Sequence, residues 1–267
     1  MAEPRMIDIH SHILPQVDDG AKSLEEAVEM ARIAFADGIQ QMICTPHMFN
    51  GTSRNPEPAE VLDRVGVLQK AIGTEGLQLL PGNEVHITHQ IVQQASRNRV
   101  TKLNGRNYML VEFPMMAAPA AASELFRQLQ LTGVHPILVH PERNVQLQEK
   151  PSTVANFVSN GVFIQVTAMS VTGEFGKAAK SCAESLLRHN CVHFLATDAH
   201  RADRRPPILS RGRDAAAEIV GPEKAQKLVY ENPLAVITGR DIQTDPPIAY
   251  DGRSPGKASF FGKLFRR

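Results

Sequence analysis

The sequence predicts an α/β fold built on a parallel sheet, and three observations lead to this expectation. Apolar segments of strand length alternate seven times with segments of helical spacing. Metal-binding types of side chain lie at or just beyond the carboxyl ends of the predicted strands. The length of 267 residues suits one large domain or two small ones, and an α/β barrel alone can take it.

The seven predicted strands are short apolar runs. The first leads into a His-x-His pair, and the fourth carries Glu112 near its end. They cover residues 6–10, 41–45, 77–81, 108–113, 136–139, 162–166 and 192–196. Regular alternation with helices favours parallel pairing, in which all the carboxyl ends meet on one face.

The predicted helices follow from apolar spacing and from end signals. Ser23 begins the first, because Ser-Leu-Glu-Glu places Glu26 at the third helical position, and Gly38 ends it. Residues 49–58 contain Gly and Pro and are predicted as a loop. Further helices are expected at 60–72, 88–97, 120–131, 152–159, 177–189, 209–219, 223–230 and 233–238.

The sequence predicts a domain of residues 1–240 followed by a flexible basic tail of residues 241–267. The tail is rich in Pro, Gly and Ser, and from Arg253 it holds five cations, three phenylalanines and a leucine. Such a segment could dock on an anionic membrane or on a partner. Disorder is the preferred interpretation of its composition.

Composition excludes several classes of protein. The net charge of +1 gives no global case for nucleic-acid binding. No apolar run is long enough to span a bilayer, and the N-terminus lacks the apolar core of a signal peptide. Three cysteines, an odd and sparse set, indicate reduced thiols and a cytoplasmic protein.

Candidate metal ligands gather at the strand ends. His10 and His12 point the same way on an extended backbone, so both can reach one ion. Asp18 or Asp19 offers a further oxygen, and Gly20 is expected to let the chain turn away. The full set of strand-end candidates is His10, His12, His47, Glu84, Glu112, His140, Asp198 and His200.

The remaining histidines are expected elsewhere. His135 and His193 start strands and should lie on the opposite rim, and His189 lies on a helix. His86 and His89 are ambiguous, with His86 a candidate for the border of the site.

The cluster has too many ligands for one metal and suits two or three ions, which can generate hydroxide and clamp phosphate oxygens. Arg143 follows His140, and Arg201, Arg204 and Arg205 follow His200. Guanidinium groups pair well with phosphate, so the pattern favours phosphate ester hydrolysis over peptide or amide hydrolysis. Arg201 and Arg204 are better explained as a solvated loop face.

The motifs taken together resemble the PHP (polymerase and histidinol phosphatase) superfamily. Within it they are most similar to the metal-dependent tyrosine phosphatases of bacterial capsule and exopolysaccharide operons. The matching pieces are His-Ser-His-Ile-Leu-Pro-Gln-Val-Asp-Asp-Gly at 10–20, Thr-Pro-His at 45–47, Gly-Asn-Glu at 82–84, Val-Glu-Phe-Pro at 111–114, His-Pro-Glu-Arg at 140–143, Thr-Asp-Ala-His at 197–200 and Arg-Pro-Pro at 205–207. The resemblance covers about residues 6–240 and implies a distorted (βα)7 TIM-like barrel.

The resemblance also implies a trinuclear site, commonly manganese, with zinc or iron as alternatives. His10, His12, Glu84 and Asp198 would hold the first ion. Glu84 would bridge to a second ion held by Glu112 and His140, and Asp19, His47 and His200 would hold the third. Spacing does not decide between Asp18 and Asp19, and Asp19 is chosen. Arg143 and Arg205 match the phosphate-binding arginines, and with Asp198 they are the catalytic candidates.

The implied function is hydrolysis of phosphotyrosine by a metal-bridging hydroxide in the cytoplasm. The family's usual substrate is a tyrosine autokinase that controls polysaccharide export, and a homo-oligomer is left open. One alternative is another PHP phosphoesterase, such as a histidinol phosphatase or a nuclease-like enzyme. A second is a non-catalytic protein that binds a kinase.

A cysteine motif points to a different mechanism. Cys182 and Arg188 have the Cys-x5-Arg spacing of cysteine-dependent tyrosine phosphatases, which need a phosphate-cradling loop at a helix N-terminus. Here the segment lacks glycine and has helical apolar spacing, so we expect Cys182 to lie within a helix and to take no part in catalysis.

Overall fold

The computed structural model describes residues 5–250 and shows the predicted architecture of parallel strands alternating with helices. All strand pairings between its strands are parallel. The strands are β1 (Met6–Ser11), β2 (Ile39–Cys44), β3 (His47–Met48), β4 (Gln78–Pro81), β5 (Glu84–His86), β6 (Tyr108–Glu112), β7 (His135–Val139), β8 (Phe163–Thr167) and β9 (Phe194–Ala196).

Two of the seven predicted strand positions are split, which gives nine strands. One sheet has the order β1-β2-β4 and the other β3-β5-β6-β7-β8-β9, so β2 continues into β3 and β4 into β5. Pro46 lies at the first break and has no N–H for a ladder, while its carbonyl oxygen accepts from the Glu84 N–H at 3.2 Å. The breaks direct His47 and Glu84 towards the carboxyl end of the barrel.

Backbone contacts join the last strand position to the first. Ser11 and Ala199 form a parallel bridge. The His12 N–H donates to the Ala199 oxygen at 2.8 Å, and the Asp198 N–H donates to the His10 oxygen at 2.9 Å. These bonds close the seven strand positions in the manner of a distorted barrel, and they also place residues 10–12 beside residues 198–199.

The helices agree with the prediction except in two connections. They are α1 (Leu24–Ala36), α2 (Pro58–Ile72), α3 (Ile91–Ser96), α4 (Ala122–Leu131), α5 (Val145–Glu149), α6 (Ser152–Ser159), α7 (Ala168–Thr172), α8 (Gly176–Arg188), α9 (Ser210–Val220), α10 (Pro222–Val229) and α11 (Glu231–Thr238). The sequence did not predict α5 and α7, which have five residues each. Helices this short show too little periodicity to be recognised.

The barrel interior and its outer face have separate apolar cores. Side chains that include Ile9, Leu110, Ile137 and Phe194 fill the interior, where they meet Val236 of α11. The Tyr108 hydroxyl donates to the Arg240 oxygen at 2.7 Å, which places the segment after α11 at the amino-terminal end of β6. A second, larger core lies between the strands and the surrounding helices. Burial thus closes the amino-terminal end and leaves the carboxyl end for polar groups.

The segment after residue 240 contacts the domain as far as the structure describes it. The Ile248 N–H donates to the His189 oxygen at 2.8 Å, and the Tyr250 ring stacks on the His189 ring at 3.7 Å between centroids. Part of the segment predicted as a tail therefore lies against the end of α8. The basic aromatic part, residues 251–267, lies outside the described residues.

Between residues 5 and 250, no helix combines the length and the apolar character that a bilayer span requires.

His135 and His193 lie at the amino-terminal ends of their strands, away from the strand-end cluster. His135 is the first residue of β7, and its ring packs against Tyr108 at 4.9 Å. His193 precedes β9, is 4% exposed and accepts a hydrogen bond from the Ile164 N–H at its Nδ1, 3.0 Å away. Burial and the nearby Lys224 lower the pKa of His193 to about 4.

We predict that His193 makes the fold less stable in acid. The folded-state pKa lies below the unfolded value of about 6.5, so protonation favours the unfolded chain and stability falls as the pH drops from about 6.5 towards 4. At pH 5 this loss is about 2 kcal/mol, from ~1.4 kcal/mol per pKa unit. His193→Asn keeps an acceptor but does not titrate. The difference in unfolding free energy between pH 7 and pH 5, measured by denaturant titration, should therefore shrink by about that amount; an equal difference in both proteins would contradict it.

Candidate metal centre

Four donor atoms form a compact cage at the carboxyl end of β1. His10 Nε2 and His12 Nε2 are 3.2 Å apart, and each lies 3.3 Å from Glu84 Oε2. Asp198 Oδ1 is 3.5 Å from the first nitrogen and 3.3 Å from the second. Distances of this size between imidazole nitrogens and carboxylate oxygens are typical of side chains that could share a metal ion, and His10, His12 and Asp198 form one such group.

Two buried side chains fix which nitrogen of each imidazole faces the cage. His10 Nδ1 lies 2.9 Å from Gln165 Oε1, and His12 Nδ1 lies 2.7 Å from Asp18 Oδ2. Both partner atoms accept, so each Nδ1 carries a proton and each Nε2 faces the cage. In the neutral form of the rings, the two Nε2 lone pairs, 3.2 Å apart, would be available to a cation.

Glu84 is the centre of the cluster. Its side chain is buried, and its oxygens lie 2.8 Å from His140 Nε2 and 2.9 Å from His47 Nδ1, besides the two contacts in the cage. Glu112 Oε2 lies 3.7 Å from the same His47 nitrogen. Burial alone would raise the pKa of Glu84, but the imidazoles of His10 and His47 hold it well below its usual value.

The structure gives Asp18 and Asp19 different surroundings. Asp18 is turned inward, where it accepts from His12 Nδ1 and from the His47 N–H at 3.0 Å. Asp19 is turned outward, with Oδ1 3.5 Å from His47 Nε2 and 3.4 Å from His200 Nε2. Hydrogen bonding from His200 lowers the pKa of Asp19. Asp19 therefore has an oxygen that faces the Nε2 atoms of His47 and His200, while Asp18 orients the His12 ring.

Gly20 is required by space and not by the turn expected from the sequence. A Cβ at this position would lie 1.9 Å from the His12 oxygen and 2.6 Å from the His12 Cβ. The Ala21 N–H donates to that same oxygen at 3.1 Å. The loop can therefore fold back onto His12 only if residue 20 lacks a side chain.

Left-handed backbone conformations occur at two of the cluster residues. His140 has φ 34° and Asp198 has φ 51°, in a region that residues other than glycine seldom adopt. Ile137 and Val139 of β7 point into the barrel, so strict alternation would turn His140 outward. The left-handed turn brings its imidazole back to Glu84, and such local strain is typical of functional sites.

The nine metal-ligand candidates all lie in this cluster. Among residues 5–250, donor atoms within 4.8 Å of one another form four groups that could each hold a metal ion. These groups are His12, Asp19, His47 and His200; His10, His12 and Asp198; His10, Glu84 and His140; and His47, Glu84 and Glu112. Shared members mean that adjacent ions would have common ligands, which fits the expectation of more than one ion. His86 borders the cluster, with Nδ1 3.3 Å from Glu112 Oε2.

Two arginines complete the site, and the other two nearby do not join it. Arg143 Nη1 and Arg205 Nη2 each donate to Asp198 Oδ2 at 2.5 Å. Burial opposes ionisation of Asp198, but Arg205 and His10 hold its pKa well below the usual value. Arg201 instead donates to Glu26 at 2.5 Å, and the Arg204 side chain is 86% exposed.

Sequence reasoning missed three residues that support the site. Gln165 is fully buried inside the barrel, Asp8 accepts from the backbone N–H groups of His10 and Thr197, and Phe175 contacts both arginines. Burial without hydrogen bonding raises the energy of polar groups, so a polar residue within an apolar strand is a usable signal. Gln165 and Asp8 are both polar residues within apolar strands, so the sequence held this signal for them. It held no such signal for Phe175.

The fold and the site together define an α/β barrel protein with several adjoining groups of potential metal ligands and cationic side chains at its mouth. A model of the family described as "Capsular polysaccharide synthesis, CpsB/CapC" matches residues 6–238. The chain belongs to this family.

Relatives and a solved structure agree with this assignment. The tyrosine-protein phosphatase YwqE of Bacillus subtilis is 38% identical over 247 residues, which cover 91% of this chain and 95% of YwqE. The tyrosine-protein phosphatase CpsB of Streptococcus pneumoniae is 30% identical over 239 residues, covering 87% of this chain and 98% of CpsB. A crystal structure from work on YwqE and CpsB, described as metal-dependent tyrosine phosphatases, superimposes with a TM-score of 0.87 at 38% identity and covers 91% of this chain and 98% of its own.

We predict that Gln165 controls metal affinity through His10. Gln165→Leu removes the acceptor at His10 Nδ1, so the ring is free to present an N–H to the cage. Metal affinity should fall about 10- to 100-fold, as for other residues that orient a ligand. Gln165→Glu keeps an acceptor and should bind metal more tightly than Gln165→Leu. Competition titration with a metal-binding dye measures both affinities, and equal values for the two variants would contradict the prediction.

Proposed function

We propose that this protein is a metal-dependent phosphatase that hydrolyses phosphotyrosine in protein substrates. The observation that carries the proposal is the cluster of overlapping imidazole and carboxylate groups with two arginines bound to one of its carboxylates. The activities named for the YwqE and CpsB relatives support the same chemistry. A complete ligand set argues against a purely binding protein, which would not need one.

The ligand assignment is part of the proposal. His10, His12, Glu84 and Asp198 would hold one ion, and Glu84 would also serve a second ion with Glu112 and His140. Asp19, His47 and His200 would hold a third, with Asp19 favoured over Asp18 by the direction of its carboxylate. Manganese is the proposed metal, and the mixed His and carboxylate donors also suit zinc or iron. When bound, such ions activate water and neutralise phosphate oxygens.

The arginines supply the phosphate-binding part of the site. Both guanidinium groups are tied to Asp198, which keeps them at the edge of the cage. Arg205 Nε is buried and has no hydrogen-bond partner among residues 5–250, so its N–H is not committed to another protein group. Free tyrosine has a pKa of about 10, so the phenolate leaves without strong help from a general acid.

We further propose that the substrate is a bacterial tyrosine autokinase of polysaccharide synthesis and that the protein acts in the cytoplasm. The family description and the capsule-related relatives support the pathway. The three cysteines are free thiols within the described residues, which suits a reducing compartment.

We predict that phosphate release from a phosphotyrosine peptide requires added manganese and stops with a chelator. His140→Ala removes the imidazole that contacts Glu84 at 2.8 Å and should lower turnover by more than about 100-fold. Released phosphate, measured beside phosphoserine peptide and histidinol phosphate, tests the substrate.

The matched control is His135→Ala, because His135 lies on the same strand at its other end. That variant should keep wild-type turnover. Preference for histidinol phosphate would replace the proposed substrate with a small phosphate ester. Absence of turnover on all three substrates in metal-loaded protein would leave the fold standing and remove the proposed substrate.

We predict that Cys182→Ser keeps full activity. Cys182 lies within α8 as expected, is buried at 4% exposure, and has a pKa raised to about 12 by burial. Its thiol therefore stays protonated and is not presented at a helix N-terminus. Phosphotyrosine kinetics and alkylation by iodoacetamide test this prediction. Loss of turnover in a folded variant would revive a cysteine mechanism.

A further inference from the structure

One aromatic ring contacts both arginines of the site. The guanidinium carbon of Arg143 lies 4.7 Å from the centroid of the Phe175 ring, and that of Arg205 lies 5.4 Å from it. Both distances fall within the range of cation–π attraction. Phe175 is half-buried and precedes α8, whereas the arginines follow β7 and β9. Three separate connections of the barrel therefore meet at this ring.

The backbone around the ring is held in place. Gly173 and Gly176 flank it with φ 102° and φ 89°, so the connection turns sharply on both sides of Phe175. The buried Glu142, next to Arg143, accepts from the Thr167 N–H at 3.0 Å and from the Ser170 hydroxyl at 2.7 Å. These bonds tie the Arg143 turn to α7, which is the helix that leads to Phe175.

The positive guanidinium groups of Arg143 and Arg205 lie close together and repel each other. An attraction that offsets this repulsion must leave their N–H groups able to bind phosphate. Asp198 Oδ2 binds one N–H of each guanidinium, and one carboxylate oxygen has few further sites for hydrogen bonds. A ring contact attracts the cations without occupying any N–H group. The buried Arg205 Nε, which lacks a partner among the described residues, is one of the donors that remain.

We propose that Phe175 is a positioning residue that holds the guanidinium groups of Arg143 and Arg205 in place to receive a phosphate group. The inference rests on the proposed function only in taking a phosphate group as the ligand of the two arginines. Phe175 acts through the arginines and does not contact the tyrosyl ring of the substrate. Its aromatic face, and not its volume alone, is the property that matters.

Phosphate binding without turnover tests the role directly. Calorimetric titration of the metal-loaded protein with inorganic phosphate compares the wild type with Phe175→Ala, Phe175→Leu and Phe175→Tyr. We expect the Ala and Leu variants to bind phosphate about tenfold more weakly, and the Tyr variant to bind like the wild type. Phe35→Ala is the control, because Phe35 is 51% exposed on α1, away from the arginines.

Two further ligands distinguish an arginine role from a substrate-ring role. Methylphosphonate and phenylphosphonate share the phosphate-like group, and only the second carries a ring. We expect Phe175→Ala to weaken both by the same factor. Selective weakening of phenylphosphonate would mean that Phe175 contacts the tyrosyl ring and would overturn the proposal.

A structural role also has a distinct outcome. If Phe175→Leu binds phosphate as tightly as Phe175→Tyr, apolar volume suffices and the proposal is wrong. If Phe175→Ala does not fold, the phosphate affinities of Phe175→Leu and Phe175→Tyr still distinguish an aromatic role from a role of apolar volume. Wild-type protein that binds phosphate in a Phe175-dependent way but releases none from phosphotyrosine would end the proposed substrate alone. Full turnover with Phe175-independent phosphate binding would end this inference alone.

Discussion

The burial of two carboxylates, Glu84 and Asp198, is the constraint on which the rest of the site depends. Both have side chains that are at most 2% exposed, and an ionised carboxylate in such a place needs positive charge nearby. Four imidazoles surround the first, and two arginines bind the second. The cage, the phosphate-binding groups and their supporting residues are arranged around these two negative charges.

The backbone departs from regular strands where this arrangement requires it. Strand breaks at Pro46 and before Glu84 direct His47 and Glu84 to the centre of the barrel mouth, and left-handed turns direct His140 and Asp198 there. Each left-handed residue raises the conformational energy of the backbone by about 1–3 kcal/mol. The two apolar cores hold these conformations, because the same strands are packed inside the barrel and under the helices.

Much of the fold could be predicted from the sequence, because its signals are local. Alternating strand and helix patterns gave the order of elements, and the strand-end positions gave eight of the nine candidate ligands that the structure gathers in the cluster. The missed elements, α5, α7 and the short strands β3 and β5, have two to five residues and too little periodicity. The choice between Asp18 and Asp19 also lay beyond spacing, since adjacent residues on a turn differ only in where the chain folds next.

The sequence by itself determined the fold class, the candidate ligands and the family resemblance, because periodicity and motif order are properties of neighbouring residues. Only the tertiary structure decided which nitrogen of His10 faces the cage, since its partner Gln165 lies 155 positions away. It also decided that Arg205 joins Asp198 while Arg201 joins Glu26, and that Phe175 meets both site arginines. These contacts depend on loops from different strands that converge in space, and no local pattern in the chain records that convergence.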